Sequence, residues 1–145
     1  MSDGLIEITA QSSEHFEQIN GNYQKHLPAY LLLFPIAQLL IMIEVFRNVI
    51  KRPNLEYALA VEWRIPKTIE VSLPRNKLWA DGNMKVDDEF NLLPDLQVPR
   101  RENLGKFWHE LQMDFFQSFG RTYKNVFPID FETSINHVLE RTGTQ

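Results

Sequence analysis

The hydrophobic pattern is dominated by residues 27–50, LPAYLLLFPIAQLLIMIEVFRNVI, whose first seventeen positions hold one strongly polar side chain, Gln38. A bilayer-spanning helix needs about 20 mostly apolar residues, so length alone fits a lipid environment as well as a protein core. Twelve Leu, Ile, Val and Phe residues between 27 and 46 favour insertion by roughly 5 kcal/mol, and Gln38, Glu44, Pro28 and Pro35 oppose it. Pro35 adds a local argument, because proline disfavours helical geometry at Phe34 and removes a backbone donor. The pattern therefore predicts a short buried strand over residues 29–34 and a helix from Pro35 to about Arg52. On that helix Glu44, Arg47, Asn48 and Lys51 share one side, which leaves Ile36, Leu39, Leu40, Ile43, Phe46 and Ile50 for the core. Arg47, Lys51 and Arg52 also suit the negative end of the helix dipole.

Elsewhere the period identifies further elements. Residues 1–11 read as a loose tail or an edge strand. Ser12, Ser13, Glu14 and Glu17 suit the start of a short helix that Asn20-Gly21-Asn22 ends. Over residues 55–65 every odd position is apolar (Leu55, Tyr57, Leu59, Val61, Trp63, Ile65), which is strand alternation. Pro66-Lys67 breaks it, and Ile69, Val71 and Leu73 form a second strand, the other arm of a hairpin. Asp81-Gly82, a favoured hairpin turn, separates two more strands over residues 77–80 and 83–86. Residues 87–99 carry acids and two prolines and read as a surface connection. From Glu102 the helical period returns through Leu104, Trp108, Leu111, Phe115, Phe119, Tyr123 and Val126 and stops before Pro128. Asp130 is placed to cap a last helix carrying Phe131, Ile135, Val138 and Leu139, and Gly143 to end it.

Together these elements predict one α+β domain over residues 1–145. Its antiparallel sheet of four to five strands has helices packed on one face. Hydrophobic residues at 43% and charged residues at 23% support a packed core. A net charge of −4 argues against a nucleic-acid binder, which needs phosphate neutralisation. The absence of cysteine removes thiol catalysis, disulfides and Cys-zinc sites. MSDGLIEITA lacks the basic-then-apolar pattern of a secretory signal, so the expected location is cytoplasmic. In the alternative, a single spanning helix near residues 27–46 anchors a cytoplasmic α+β domain, with Arg47, Lys51 and Arg52 on the inner side.

Candidate chemistry is sparse. His109-Glu110 begins a zinc-helix motif, but Met113 stands where the second histidine belongs. Asp81, Asn83, Asp87, Asp88 and Glu89 are acidic or amide-bearing, yet Gly82 is not at the sixth loop position that calcium loops require. Glu62-Trp63-Arg64 lacks the lysine and upstream acid of a metal-dependent nuclease, and the six glycines form no phosphate loop. Glu56, Glu62 and Glu70 with His15, His26 and His137 define a carboxylate/histidine ligand-binding or enzyme alternative. Arg100, Arg101 and Lys106 near Trp108 could touch phosphate, although helix-start charges are ordinarily solvated. No cofactor is expected.

The more unusual feature is aromatic density. Phe107, Trp108, Phe115, Phe116, Phe119 and Tyr123 cover too wide an arc for one narrow stripe on a helix, so the helix sits centrally or shows a second face to a partner. The leading expectation is a noncatalytic interaction or structural subunit. It would dock onto a protein partner or a second copy through this aromatic helix.

Overall fold

The computed structural model describes residues 15–19, 22–65, 70–72, 84–85, 90–119 and 127–143. In chain order the elements are β1 (His15–Ile19), β2 (Asn22–Pro28), α1 (Tyr30–Val49), β3 (Ala58–Arg64), β4 (Glu70–Ser72), β5 (Met84–Lys85) and β6 (Phe90–Gln97). A 3-10 turn (Arg101–Asn103), α2 (Leu104–Ser118) and α3 (Phe131–Arg141) complete them.

Where the first helix is expected, residues 15–19 form a strand instead; the tail over residues 1–11 and the helix-start residues Ser12, Ser13 and Glu14 lie outside the described residues. β1 and β2 pair antiparallel, with His15 opposite His26 and Ile19 opposite Asn22. Strand pairing with β2 outweighs the helix-start preference of Glu17 within β1.

The predicted break at Pro35 is also corrected. Residues 29–34 are not a strand: α1 begins at Tyr30 and contains Pro35. At the sixth helical position a proline removes one backbone bond, that to the Leu31 carbonyl, because the first four N–H groups of any helix lack an internal acceptor. The next carbonyl, Leu32, accepts a hydrogen bond from the Trp63 indole Nε1 at 3.3 Å, so the disturbed turn is tied to the neighbouring sheet. At its other end α1 stops at Val49. Arg52 N–H donates to Arg47 O at 2.9 Å and Lys51 N–H to Asn48 O at 3.1 Å, the bond pair of a Schellman cap. Lys51 occupies the left-handed position of that cap with φ 58°, where a side chain costs about 1 kcal/mol. Lys51→Gly is therefore expected to raise stability by about that amount, read as a higher urea midpoint; an unchanged or lower midpoint contradicts it.

β3 follows the predicted alternation. Leu59, Val61 and Trp63 are buried and Ala58, Ala60, Glu62 and Arg64 exposed. Its partner is not the predicted one. β3 pairs antiparallel with β6, inside the segment read as a surface connection. The register runs Leu59↔Leu96 and then Val61↔Leu93, so β6 carries one extra residue beside Pro94. Proline cannot donate to a ladder, and a bulge is the usual accommodation. β4 pairs parallel with β2 and antiparallel with β5. The chain is thus α+β, but pairing divides between the order β1-β2-β4-β5 and the ribbon β3-β6, rather than forming one antiparallel sheet. The Asp81-Gly82 turn and residues 77–80 lie outside the described residues.

α2 begins at Leu104 rather than Glu102 and runs to Ser118. α3 is capped as predicted: Asp130 accepts from Thr133 N–H at 3.1 Å and from the Thr133 hydroxyl at 2.7 Å. These bonds hold the Asp130 carboxyl below its ordinary pKa. Gly143, at φ 69°, follows the helix end. One core joins all three helices to β3 through Leu33, Leu40, Trp63, Leu111, Phe115 and Ile135.

Candidate docking face of the central helix

α1 distributes its side chains in an unusual way. Its two charged residues, Glu44 and Arg47, are 4% and 2% exposed, whereas the sequence pattern placed both on the solvent side. The correction has a clear cause in the donor count of a guanidinium. Arg47 Nη1 donates to Glu44 Oε1 at 2.6 Å and to Pro99 O at 2.9 Å, Nη2 to Val98 O at 3.3 Å, and Nε to Leu55 O at 2.9 Å. Its Cζ lies 5.7 Å from the centre of the Tyr57 ring. The inward charge thereby satisfies carbonyls just before β3 and just after β6, where the ladder no longer serves them.

The outward half shows the converse. With about 100° per residue, Tyr30, Phe34, Gln38, Met42, Phe46, Asn48 and Val49 fall on one side, and all seven are exposed. Tyr30, Phe34, Met42, Phe46 and Val49 are 40–50% accessible. The face has two amides and no charge. Surface helices of globular proteins ordinarily place charge outward and apolar residues inward; here the outward face is apolar and the charges are enclosed. By length and composition α1 also meets the requirements of a membrane span, although Leu33, Ile36, Ala37, Leu40 and Ile43 pack within the chain.

Beside this face lies a groove of about 460 Å³ lined by Phe34, Ala37, Gln38, Ile41, Phe127 and Ile129. Phe34 meets Phe127 edge to face, with ring centres 5.6 Å apart. The far wall is held firmly. Trp108 Nε1 donates to Phe127 O at 2.7 Å, and Gln112 Oε1 accepts from Phe127 N–H at 3.1 Å. Gln112 is wholly buried, so its amide serves this backbone clamp.

Of the aromatic residues singled out by sequence, Trp108, Phe115 and Phe116 are interior. Phe107 and Phe119 pack partly buried against the core, and Tyr123 lies outside the described residues. The three interior rings therefore leave no outward surface for a partner. The wide aromatic arc is explained by burial on several sides: Phe115 alone makes tilted or edge contacts with Trp63, Phe116 and Phe119, each at 5.2 Å. What the sequence reading missed was the α1 face. Its one trace in the sequence is Gln38, a single polar residue in a long apolar run, which does not by itself separate the two sides of the helix.

The carboxylate/histidine candidates are separated. Glu62 is exposed and paired with Arg64 at 2.6 Å on β3, and Glu56 and His137 are exposed at other places. Backbone register does place His15, His26, Glu70 and Lys85 at one level across β1, β2, β4 and β5, in a different sheet from Glu62. Among the described residues no group of three or more His, Cys, Asp or Glu is arranged to hold a metal. Asp81, Asn83 and Asp87–Glu89 lie outside the described residues. Arg101, a phosphate candidate, contacts α3 instead, with Nη2 at 2.8 Å from Glu132 Oε2. Comparison with family models, with curated proteins and with solved structures finds no match to this chain.

Proposed function

We propose that the chain is a noncatalytic interaction subunit that docks through the outward face of α1, with the adjoining groove receiving part of the partner. The carrying observation is the inversion of polarity on that helix. Five large apolar side chains are 40–50% exposed while its two charges are enclosed. A patch of this kind, on the order of 300–600 Å², is commonly functional. Aromatic and methionine side chains with little charge match the composition of interface centres. The docking surface in this reading is α1 rather than the aromatic helix α2, whose principal rings are spent on the core.

Because the chain contains no cysteine, single cysteines report on the face directly. Phe34→Cys, Met42→Cys and Phe46→Cys, expressed in the producing cells, are expected to react with a water-soluble maleimide several-fold more slowly than Glu140→Cys in extract kept at the chain's concentration in the cell. Glu140 is exposed on α3 and serves as the open control. Denaturation with urea equalises all four rates. Equal rates in native extract would show the face to be open to water and would end this reading.

A further inference from the structure

We infer that the occupant of the α1 face is a second copy of this chain, crossing α1 on α1 with Gln38 at the two-fold axis; this rests on the docking reading above. Tyr30, Phe34, Gln38, Met42 and Phe46 are spaced four residues apart and all are exposed, so they form one continuous ridge. The rows beside it are lower. Leu31, Pro35 and Leu39 are half-buried on one side; Ala37 and Val45 are buried and Ile41 half-buried on the other, that row rising only at its end, where Val49 is exposed. The commonest class of helix packing sets such a ridge into the trough beside the same ridge of another helix, at about −50°. A ridge of this kind is its own complement.

Two further features select a copy of the same chain. Identical faces meet without repulsion only if they carry no net charge, and this face carries none between Tyr30 and Val49. The third of the five ridge positions is Gln38, with two apolar residues on either side. In an isologous dimer the residue at the crossing point meets its own symmetry mate. An amide has both donors and an acceptor, so two glutamines satisfy each other, and a single polar residue in an apolar helix seam fixes register and oligomeric state. A bilayer offers Gln38 no such partner.

The area sets the strength. A 20-residue helix is about 30 Å long and about 10 Å across, a footprint on the order of 300 Å² per copy against about 800 Å² for a standard interface. The dimer is therefore weak and reversible.

Sedimentation equilibrium of the purified full chain is expected to show mass rising from 17.1 kDa toward twice that value between low micromolar and several hundred micromolar. Gln38→Cys, oxidised at the upper concentration, is expected to run as a disulfide-linked dimer, and Glu140→Cys is not. Gln38→Glu puts two carboxylates at the axis and is expected to weaken dimerisation at least tenfold at neutral pH, with recovery on acidification; circular dichroism checks that its fold is intact. A one-copy mass at every concentration, without Gln38→Cys cross-linking, overturns the inference. If that monomer floats with phosphatidylcholine vesicles, the occupant is lipid; if it does not float and the cysteines stay protected in extract, the occupant is another protein. Either result removes the second copy and leaves the docking role standing, whereas loss of protection in extract removes the role itself.

Discussion

Arg47→Ala is expected to lower the stability of the fold by about 3–5 kcal/mol, the cost of leaving one member of a buried pair uncompensated. Removal of the guanidinium strands the Glu44 carboxylate in the interior and deprives Leu55, Val98 and Pro99 of their donors at once. Against a total of about 5–15 kcal/mol for a domain, that is a large fraction. The urea midpoint should fall by about 2 M, given a slope of about 1–3 kcal/mol per molar. Arg47→Lys is not expected to rescue, since an ammonium cannot hold three diverging carbonyls and a carboxylate together. Replacing the pair, Glu44→Leu with Arg47→Met, is expected to recover part of the loss, because an apolar substitute leaves no orphaned charge. A midpoint for Arg47→Ala within a few tenths molar of the unaltered chain would show that the inward charge is not what joins α1 to β3 and β6.

Phe115→Ala is the second large effect, at about 3–5 kcal/mol. Phe115 is fully enclosed, and its ring contacts link β3, through Trp63, to two further rings of the α2 segment. Removing it leaves a cavity that neighbouring rings cannot fill without leaving their own contacts. For a chain of this length the thermal midpoint should drop by roughly 10–15 °C. Phe34→Ala is the internal contrast. Phe34 is 42% exposed, so its loss is expected to cost less than about 1 kcal/mol. Similar losses for the two phenylalanines, measured by thermal denaturation monitored by circular dichroism, would contradict the assignment of one to the core and the other to the outward face.

The sequence made some of this legible and hid the rest for identifiable reasons. Period-two alternation in β3 and the Asp130 cap of α3 are local signals, fixed by a few neighbouring residues, and both appear as expected. Partner choice is not local. Nothing near Ala58–Arg64 announces that Phe90–Gln97, with a proline inside it, supplies the second strand. The weight given to Pro35 was misplaced for a related reason. Its cost within a helix, a missing bond and crowding of the Leu31 carbonyl, is outweighed by the burial of Leu33, Ile36, Ala37 and Leu40 around it, and a distant indole, Trp63, bonds the next carbonyl, Leu32. Arg47 shows the same limit for the candidate site. Helical geometry correctly grouped it with Glu44, but burial was decided by carbonyls 8, 51 and 52 residues away. The outward face of α1 became visible only when the inward face was known, because an apolar helix has no sequence mark that separates its two sides.

The placement of α1 also governs what happens while the chain is being made. Its last residue, Val49, leaves the ribosome well before Trp63, Leu111 and Ile135, the side chains that enclose it. Synthesis proceeds at about 5–20 residues per second, so for several seconds the nascent helix lacks most of the side chains that will enclose it. Until α3 is made, the apolar side chains of α1 that it will cover stay open to whatever is nearby.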